Sequence, residues 1–141
     1  MSTKNEVVIT SAIRTAIGSM GGSLKNVSGH ELGSCVIKEI LNKSGINKND
    51  IDEVIMGQVL TAATGQNPAR QAAIISGIPK EKPAYLVNQV CGSGLRSVAS
   101  GLQSILSGNS KILIAGGQES MSTSPHAVNI RNGKKLGDTE L

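Results

Sequence analysis

Residues 84 to 115, AYLVNQVCGSGLRSVASGLQSILSGNSKILIA, place a helical pattern between two short apolar segments. The segments at 84–90 and 111–115 are rich in Val, Ile and Leu, which is typical of buried strands. Between them, residues 92–107 carry apolar side chains at helical spacing, and Gly108 follows as a stop signal. A strand, a helix and a second strand in this order predict a parallel β-α-β unit.

The same alternation extends towards the N-terminus. One helix is predicted at 29–44, where Ser28 begins a capping box, and another at 68–76, where a proline occupies the first helical position. Further strands are predicted at 6–11 and 51–56, because both segments are short and apolar. The order βαβαβαβ predicts an α/β fold with a largely parallel sheet and helices on its faces.

The core is predicted to be aliphatic, because Tyr85 is the only aromatic residue in the chain. Cys35 lies within the apolar stripe of the helix at 29–44 and is therefore predicted to be a core residue. The helix at 92–107 is predicted to turn one apolar stripe towards the core, made of Leu95, Val98, Ala99, Leu102, Ile105 and Leu106.

Length and composition exclude several classes of protein. The chain has 141 residues and a formal net charge of +4, which suits one domain. Aromatic residues make up 1% of the chain, so it lacks platforms for stacking single-stranded nucleic acid, and no nucleic-acid partner is predicted. Two cysteines do not make a disulfide framework or a zinc site, so no metal is predicted.

Signals for membrane insertion or secretion are also missing from the sequence. No apolar run approaches the length of a membrane span. The apolar stretch at 7–9 is too short for the apolar region of a signal peptide. We therefore expect no membrane partner and a reducing, cytoplasmic setting.

Cys91 lies where the third predicted strand passes into the third predicted helix. Free backbone N–H groups and the helix dipole place partial positive charge at a helix start, which favours the thiolate, the nucleophilic form of cysteine. Gly92 and Gly94 carry no Cβ atom, so a substrate could approach the backbone closely. The Cys91 N–H could itself stabilise a developing oxyanion. Ligands of α/β sheets bind outside the carboxyl ends of strands, where Cys91 is predicted to lie.

Other interpretations of this junction stay open from the residues alone. Cys91 could be a small buried hydrophobe. The pattern Gly92-x-Gly94-x-x-Ser97 approaches a dinucleotide-binding fingerprint, but it lacks the third glycine and an acidic residue after the next strand. A serine-hydrolase elbow is disfavoured, because Cys91 stands where the first glycine of that motif would be.

The only histidines in the chain are His30 and His126. We interpret His30 as a surface residue in the first turn of a capped helix, and His126 as a loop residue rather than a base. The sequence therefore presents a nucleophile without a clear general base, which acyl transfer through a cysteine requires.

Five segments, in order and in spacing, resemble motifs of the thiolase family. The segment around Cys91 resembles the nucleophile motif of that family, and AGGQESMS at 115–122 resembles the run after its fourth strand. RTAIGSMGGSL at 14–24 resembles an early glycine-rich loop of the family. DEVIMGQVL at 52–60 resembles the second strand, and GQNPARQAA at 65–73 resembles a stretch of the biosynthetic, acetoacetyl-CoA-forming branch.

The resemblance implies acetyl-CoA C-acetyltransferase chemistry, in which two acetyl-CoA give acetoacetyl-CoA and CoA reversibly. Cys91 would carry the acetyl group as a thioester, which the carbanion of a second acetyl-CoA would attack. CoA thioesters would be substrates, and no cofactor is expected. Family members are homodimers or tetramers with a five-layered α/β architecture, and the resemblance implies the same for the full-length protein.

The chain departs from the family pattern at single positions and in length. Ala16 replaces a usual proline, and Gln89 stands where Lys or Arg is usual. The resemblance implies an N-terminal thiolase half-domain at 1–118 and the start of the loop region that covers CoA at 119–141, where we expect that the chain is truncated. The histidine that activates the nucleophile and the second catalytic cysteine belong to the second half of the family's chains.

Two other functions stay open at the level of sequence. A non-catalytic protein that keeps only the thiolase fold would show no thiolysis. A thiol redox protein would need Cys35 as the resolving partner of Cys91. Reaction of Cys91 with acetyl-CoA would separate an acyltransferase from both.

Overall fold

The computed structural model describes residues 6–128 and residue 137 of the chain. Helix α1 spans Gly29–Ser44, strand β1 spans Glu53–Gly57 and helix α2 spans Pro68–Ile75. Strand β2 spans Ala84–Val87, helix α3 spans Ser93–Leu106 and strand β3 spans Leu113–Gly117. Short 3-10 helices lie at Lys48–Asp50 and Met121–Thr123.

The three strands form one parallel sheet in the order β2-β1-β3. In the central strand β1, Val54 pairs with Ala84 of β2 on one side and with Ile114 of β3 on the other. Parallel strands need crossover connections. Helix α2 connects the neighbours β1 and β2, and α3 connects β2 with β3 on the far side of β1. The predicted α/β class, with a largely parallel sheet and helices on its faces, is therefore confirmed.

The strand predicted at 6–11 is wrong, because these residues have no regular structure. Val8 and Ile9 are 65% and 76% exposed, so the apolar side chains that indicated a buried strand have no sheet to pack on. An extended segment becomes a strand only when another backbone pairs with its N–H and C=O groups. Within the described residues the sheet has three strands instead of the predicted four.

Alternate residues of β1 point to opposite faces of the sheet, and each face is covered differently. Val54 and Met56 belong to the aliphatic core that they share with α1 and α2. Gly57 lies against Ser93 of α3. Because side chains alternate between the two faces of a strand, Ile55 lies on the same face of β1 as Gly57, the face that α3 covers. The sheet is therefore enclosed by α1 and α2 on one side and by α3 on the other.

Helix α3 contacts the sheet through small residues instead of the predicted stripe. Ser93, Ser97 and Gly101 are its buried residues, and a Cβ atom on Gly101 would lie only 2.7 Å from Leu113 Cδ1. The prediction was wrong for three leucines of the stripe, which are 77%, 45% and 59% exposed: Leu95, Leu102 and Leu106. Helix α3 lies too close to the sheet for a leucine side chain to fit between them, so the three leucines point away from the sheet.

Cys35 is exposed on α1, so its prediction as a core residue was wrong. The buried stripe of α1 includes Gly29, Gly33 and Ile37. At about 100° of rotation per residue, Cys35 lies about 200° away from Gly33 and from Ile37. The cysteine therefore occupies the opposite side of the helix.

The remaining predictions on chain organisation concern membrane spans and the C-terminal loop region. Within residues 6–128 there is no helix that is both long and apolar enough to cross a bilayer. The loop region predicted at 119–141 lies partly outside the described residues. Its described part includes the 3-10 helix at Met121–Thr123.

Candidate functional site

Cys91 is exposed in the turn between β2 and α3. The turn leaves the sheet at the carboxyl end of β2, where ligands of parallel sheets usually bind. Gly92 is the N-cap residue of α3 and provides no side-chain hydrogen bond to the first helical turn. The structure thus places Cys91 at the predicted junction, and the cysteine is not a buried hydrophobe. Its role as a nucleophile stays a prediction at this point.

Two backbone hydrogen bonds close the turn around Cys91. The Gly92 N–H donates to the Gln89 carbonyl oxygen at 3.0 Å, and the Ser93 N–H donates to the Val90 carbonyl oxygen at 3.1 Å. Cys91 is an inner residue of both turns. Its backbone is therefore constrained on both sides, which gives the side chain a defined direction relative to α3.

Val90, which precedes Cys91, has a φ angle of +52°. This left-handed conformation is rare for a β-branched residue, because its Cβ substituents crowd the backbone there. Sequence reasoning missed it and included Val90 in the strand predicted at 84–90, since valine favours extended backbone. No glycine marks the position, so no local signal would have revealed the conformation.

Three glycines allow the start of α3 to approach the ends of two strands. A Cβ atom on Gly57 would lie 2.5 Å from the Gly94 nitrogen, and one on Gly117 would lie 3.2 Å from the Gly94 Cα atom. Gly94 therefore serves the contact between helix and sheet instead of the substrate approach that the sequence indicated. Gly92 is exposed next to Cys91, which is compatible with the predicted approach of a substrate.

The Ser97 hydroxyl joins α3 to β3. Its oxygen lies 2.6 Å from the Gly94 carbonyl oxygen and 2.7 Å from the Gly116 carbonyl oxygen, and the residue is fully buried. Ser97 stands where the dinucleotide fingerprint has its third glycine. Its hydroxyl makes an internal bond to the sheet, and this contact gives no support to the nucleotide-binding interpretation.

Glu119 joins the end of β3 to the loop that follows β1. One carboxylate oxygen of Glu119 accepts the Val59 N–H at 2.8 Å. Next to this bond, the buried Gln118 Nε2 atom donates to Gln58 Oε1 at 2.9 Å. In the sequence, Glu119 stood out only as part of the thiolase-like run at 115–122. Its bond to Val59 could not be predicted, because no local pattern indicates a partner 60 residues away.

The two histidines have different surroundings. His30 is half-buried, and its Nε2 atom lies 3.2 Å from Ser28 Oγ in the capping box of α1. In the same box, hydrogen bonds from the Ser28 hydroxyl and from its backbone N–H lower the pKa of Glu31. His126 is exposed. Residues 6–128 contain no group of three or more His, Cys, Asp or Glu side chains that could hold a metal ion.

The sequence matches the family described as Thiolase, N-terminal domain, over residues 7–141. The chain belongs to the thiolase family. Among the similar thiolases, the acetyl-CoA acetyltransferase of Rhizobium meliloti is 53% identical over 135 residues, which cover 96% of this chain and 34% of the relative. The family predicted from the five sequence motifs is therefore confirmed.

Solved thiolases have the same fold over the matched part. The crystal structure of the Bacillus anthracis acetyl-CoA acetyltransferase aligns with a TM-score of 0.85 at 38% identity, covering 94% of this chain and 34% of that chain. The Acat5 thiolase from Ascaris suum, in complex with coenzyme A, aligns with a TM-score of 0.82 at 40% identity, covering 84% and 31%. This thiolase chain thus spans about a third of the length of its relatives.

Proposed function

We propose that the chain is the nucleophile-bearing part of an acetyl-CoA C-acetyltransferase, which condenses two acetyl-CoA into acetoacetyl-CoA and CoA reversibly. The observation that carries this proposal is the exposed Cys91 at the start of α3, beyond the carboxyl end of a parallel strand. The names of the relatives and the coenzyme A in the Ascaris suum complex support the choice of substrate.

The reaction proceeds in two steps through an acetyl group on Cys91. First, the Cys91 thiolate attacks the carbonyl carbon of acetyl-CoA, the bond from that carbon to the CoA sulfur breaks, and the CoA thiolate takes up a proton. Second, a base removes a methyl proton from another acetyl-CoA, and the carbanion attacks the acetyl thioester. A carbon–carbon bond forms and the Cys91 thiolate leaves. Two covalent steps replace one difficult step.

Each attack converts a carbonyl oxygen into an oxyanion, which needs preorganised hydrogen-bond donors. The N–H groups of Gly92 and Ser93 are held by the carbonyl oxygens of Gln89 and Val90. We therefore assign the Cys91 N–H as the donor from this turn. The positive end of the α3 dipole adds a favourable potential for the same negative charge.

We assign the proton-transfer groups to parts of the protein outside this chain. His30 is engaged with the capping box of α1, and His126 has no motif that marks it as a base. The relatives are much longer, since the chain covers 34% of the Rhizobium meliloti protein. The activating histidine and the second cysteine would come from that additional length.

The same proposal covers the organisation of the full protein. Residues 1–118 would form the N-terminal thiolase half-domain, and 119–141 would begin the loop region that covers CoA. We propose that the complete protein is a cytoplasmic homodimer or tetramer, as the family resemblance implies.

Transfer of a radiolabelled acetyl group tests the proposal. The complete open reading frame that encodes this chain is expressed and incubated with labelled acetyl-CoA, and the acid-stable label is located by peptide mass spectrometry. We expect acetyl label on the Cys91 peptide, lost in Cys91→Ser. Cys35→Ser is the matched control, because Cys35 is exposed as well, and it should retain the label. A wild-type protein without acetyl label on Cys91 would contradict the acyltransferase function and favour the non-catalytic alternative.

A further inference from the structure

Val90 adopts its left-handed conformation without help from its own side chain. The residue is 64% exposed, so little packing holds the side chain in place. A β-branched residue at φ +52° is strained, and such strain persists only where surrounding contacts impose it. The contacts that hold Val90 must therefore come from its backbone, and they set the direction in which the chain enters Cys91.

Ser93 supplies the first of these contacts. Its hydroxyl accepts the Gln89 N–H at 2.8 Å and donates to the Val90 carbonyl oxygen at 2.6 Å. The residue is 3% exposed, so water has little access to replace these bonds. One hydroxyl thus bridges the Gln89 N–H and the Val90 carbonyl oxygen, which lie on either side of the peptide bond that joins Gln89 to Val90.

Asn88 supplies the second contact. Its Oδ1 atom accepts the Val90 N–H at 3.0 Å, and its Nδ2 atom donates to the Val59 carbonyl oxygen at 3.3 Å. The Val59 N–H is in turn bound by Glu119. Asn88 therefore ties Val90 to the loop after β1, and Glu119 ties that loop to the end of β3.

We propose that Asn88 and Ser93 are positioning residues that hold Val90 in its left-handed conformation and thereby direct Cys91 towards the acyl group. This inference rests on the proposed function, since it assigns their role to the same nucleophile. Neither residue needs to touch the substrate. Each acts through the backbone of Val90.

The test measures two rates on the complete protein: acetyl transfer from acetyl-CoA to Cys91, and alkylation of Cys91 by iodoacetamide, both followed by peptide mass spectrometry. We expect Asn88→Ala and Ser93→Ala to lower both rates by about fivefold to tenfold, the effect of losing one or two hydrogen bonds. The KM for acetyl-CoA should change by less than about twofold, because the lost contacts orient the nucleophile and do not bind substrate.

Two further variants separate positioning from a general loss of structure. Ser107→Ala removes a hydroxyl at the far end of α3, where it donates to the Ser104 carbonyl oxygen at 3.0 Å, and should leave both rates unchanged. Val90→Gly removes the strain, because glycine adopts positive φ freely, so Asn88→Ala should cost less in that background than in the wild type.

The outcomes distinguish this inference from the proposed function. Wild-type rates of alkylation in both Asn88→Ala and Ser93→Ala overturn the positioning role, as does an equal cost of Asn88→Ala with and without Val90→Gly. A wild-type protein that is alkylated at Cys91 but never acetylated overturns the proposed function, while slower alkylation in the two variants still supports the positioning of Cys91.

Discussion

A Cβ atom on Gly57, the last residue of β1, would lie 2.3 Å from the carbonyl carbon of Ser93, the first residue of α3. The helix that begins after Cys91 therefore rests directly on the backbone of the central strand. No side chain larger than hydrogen fits between them. This contact fixes the distance between the start of α3, next to Cys91, and the carboxyl end of β1.

Gly57→Ala should therefore displace the start of α3. We expect a loss of about 1–3 kcal/mol in the free energy of unfolding, as for other overpacked sites, and slower alkylation of Cys91. Gly116→Ala is the matched control in β3, since its added Cβ atom would meet nothing closer than 3.9 Å. Denaturant titration and iodoacetamide kinetics measure both variants. An equally mild effect at the two glycines would contradict the close contact.

Asn67 should contribute to stability through its unusual backbone as well as its side chain. It caps α2 at a φ angle of +43°, accepts the Arg70 N–H at 3.1 Å and donates to the Ala84 carbonyl oxygen at 2.9 Å. Asn67→Ala loses the cap and strains the backbone, so we expect a cost of about 2–3 kcal/mol.

Asn67→Gly is the control for that prediction. Glycine is a fair N-cap residue and adopts positive φ without strain, so its cost should be smaller, about 1 kcal/mol. Denaturant titration compares the two variants. If Asn67→Gly is as unstable as Asn67→Ala, the tolerance of asparagine for positive φ does not contribute to stability at this position.

Asp52 should stabilise the fold at neutral pH but not in acid. Its carboxylate accepts the Lys111 N–H at 2.7 Å and the Ile112 N–H at 3.1 Å, and these two bonds lower its pKa from the ordinary value of 3.8. A depressed pKa means that the stabilisation is present above that ordinary value and is lost as pH falls through the pKa of the folded state.

Unfolding titrations of Asp52→Asn test this pH dependence. The variant should be less stable than the wild type at about pH 7, and the difference should shrink below about pH 4. Asp50→Asn, in the exposed 3-10 helix just before β1, is the control. A difference at Asp52 that is independent of pH would show that the carboxylate charge is not involved.

Tyr85 should titrate above the ordinary value of 10.0, because burial and then the nearby Glu53 carboxylate raise its pKa. The raised pKa stabilises the fold below pH 10, and that contribution is lost as pH rises through the pKa of the folded state. Glu53→Gln should lower the pKa of Tyr85 but leave it above 10.0, since burial remains. Ultraviolet absorbance reports it directly in the 141-residue chain, whose only aromatic residue is Tyr85. An unchanged titration in Glu53→Gln would mean that the Glu53 carboxylate does not contribute to the raised pKa of Tyr85.

Local signals predicted the helices well. The predicted helix at 29–44 matches α1 at Gly29–Ser44, because its capping box is a contact between neighbours: the Ser28 N–H donates to Glu31 at 2.8 Å. The proline that opens α2 acts equally locally. The strand predicted at 6–11 failed because pairing needs a second backbone, which composition and alternation do not supply.

The candidate site was predicted less completely than the helices. The sequence pattern around Cys91 placed this residue at a strand-to-helix junction, and the structure has it there, exposed. The contacts that shape the turn went unseen. Valine disfavours the left-handed conformation that Val90 adopts. The Val59 N–H is bound by Glu119, which lies 60 residues further along the chain.

By itself, the sequence determined the order of helices and strands from α1 onwards, the aliphatic core and the place of Cys91 between a strand and a helix. These features depend on the spacing of residues within a few positions of each other, which is independent of contacts between remote segments. Only the tertiary structure decided that α3 meets the sheet through Ser97 and Gly101 while Leu102 points away. That choice depends on how near two backbones come, and distances between remote segments follow from packing rather than from periodicity.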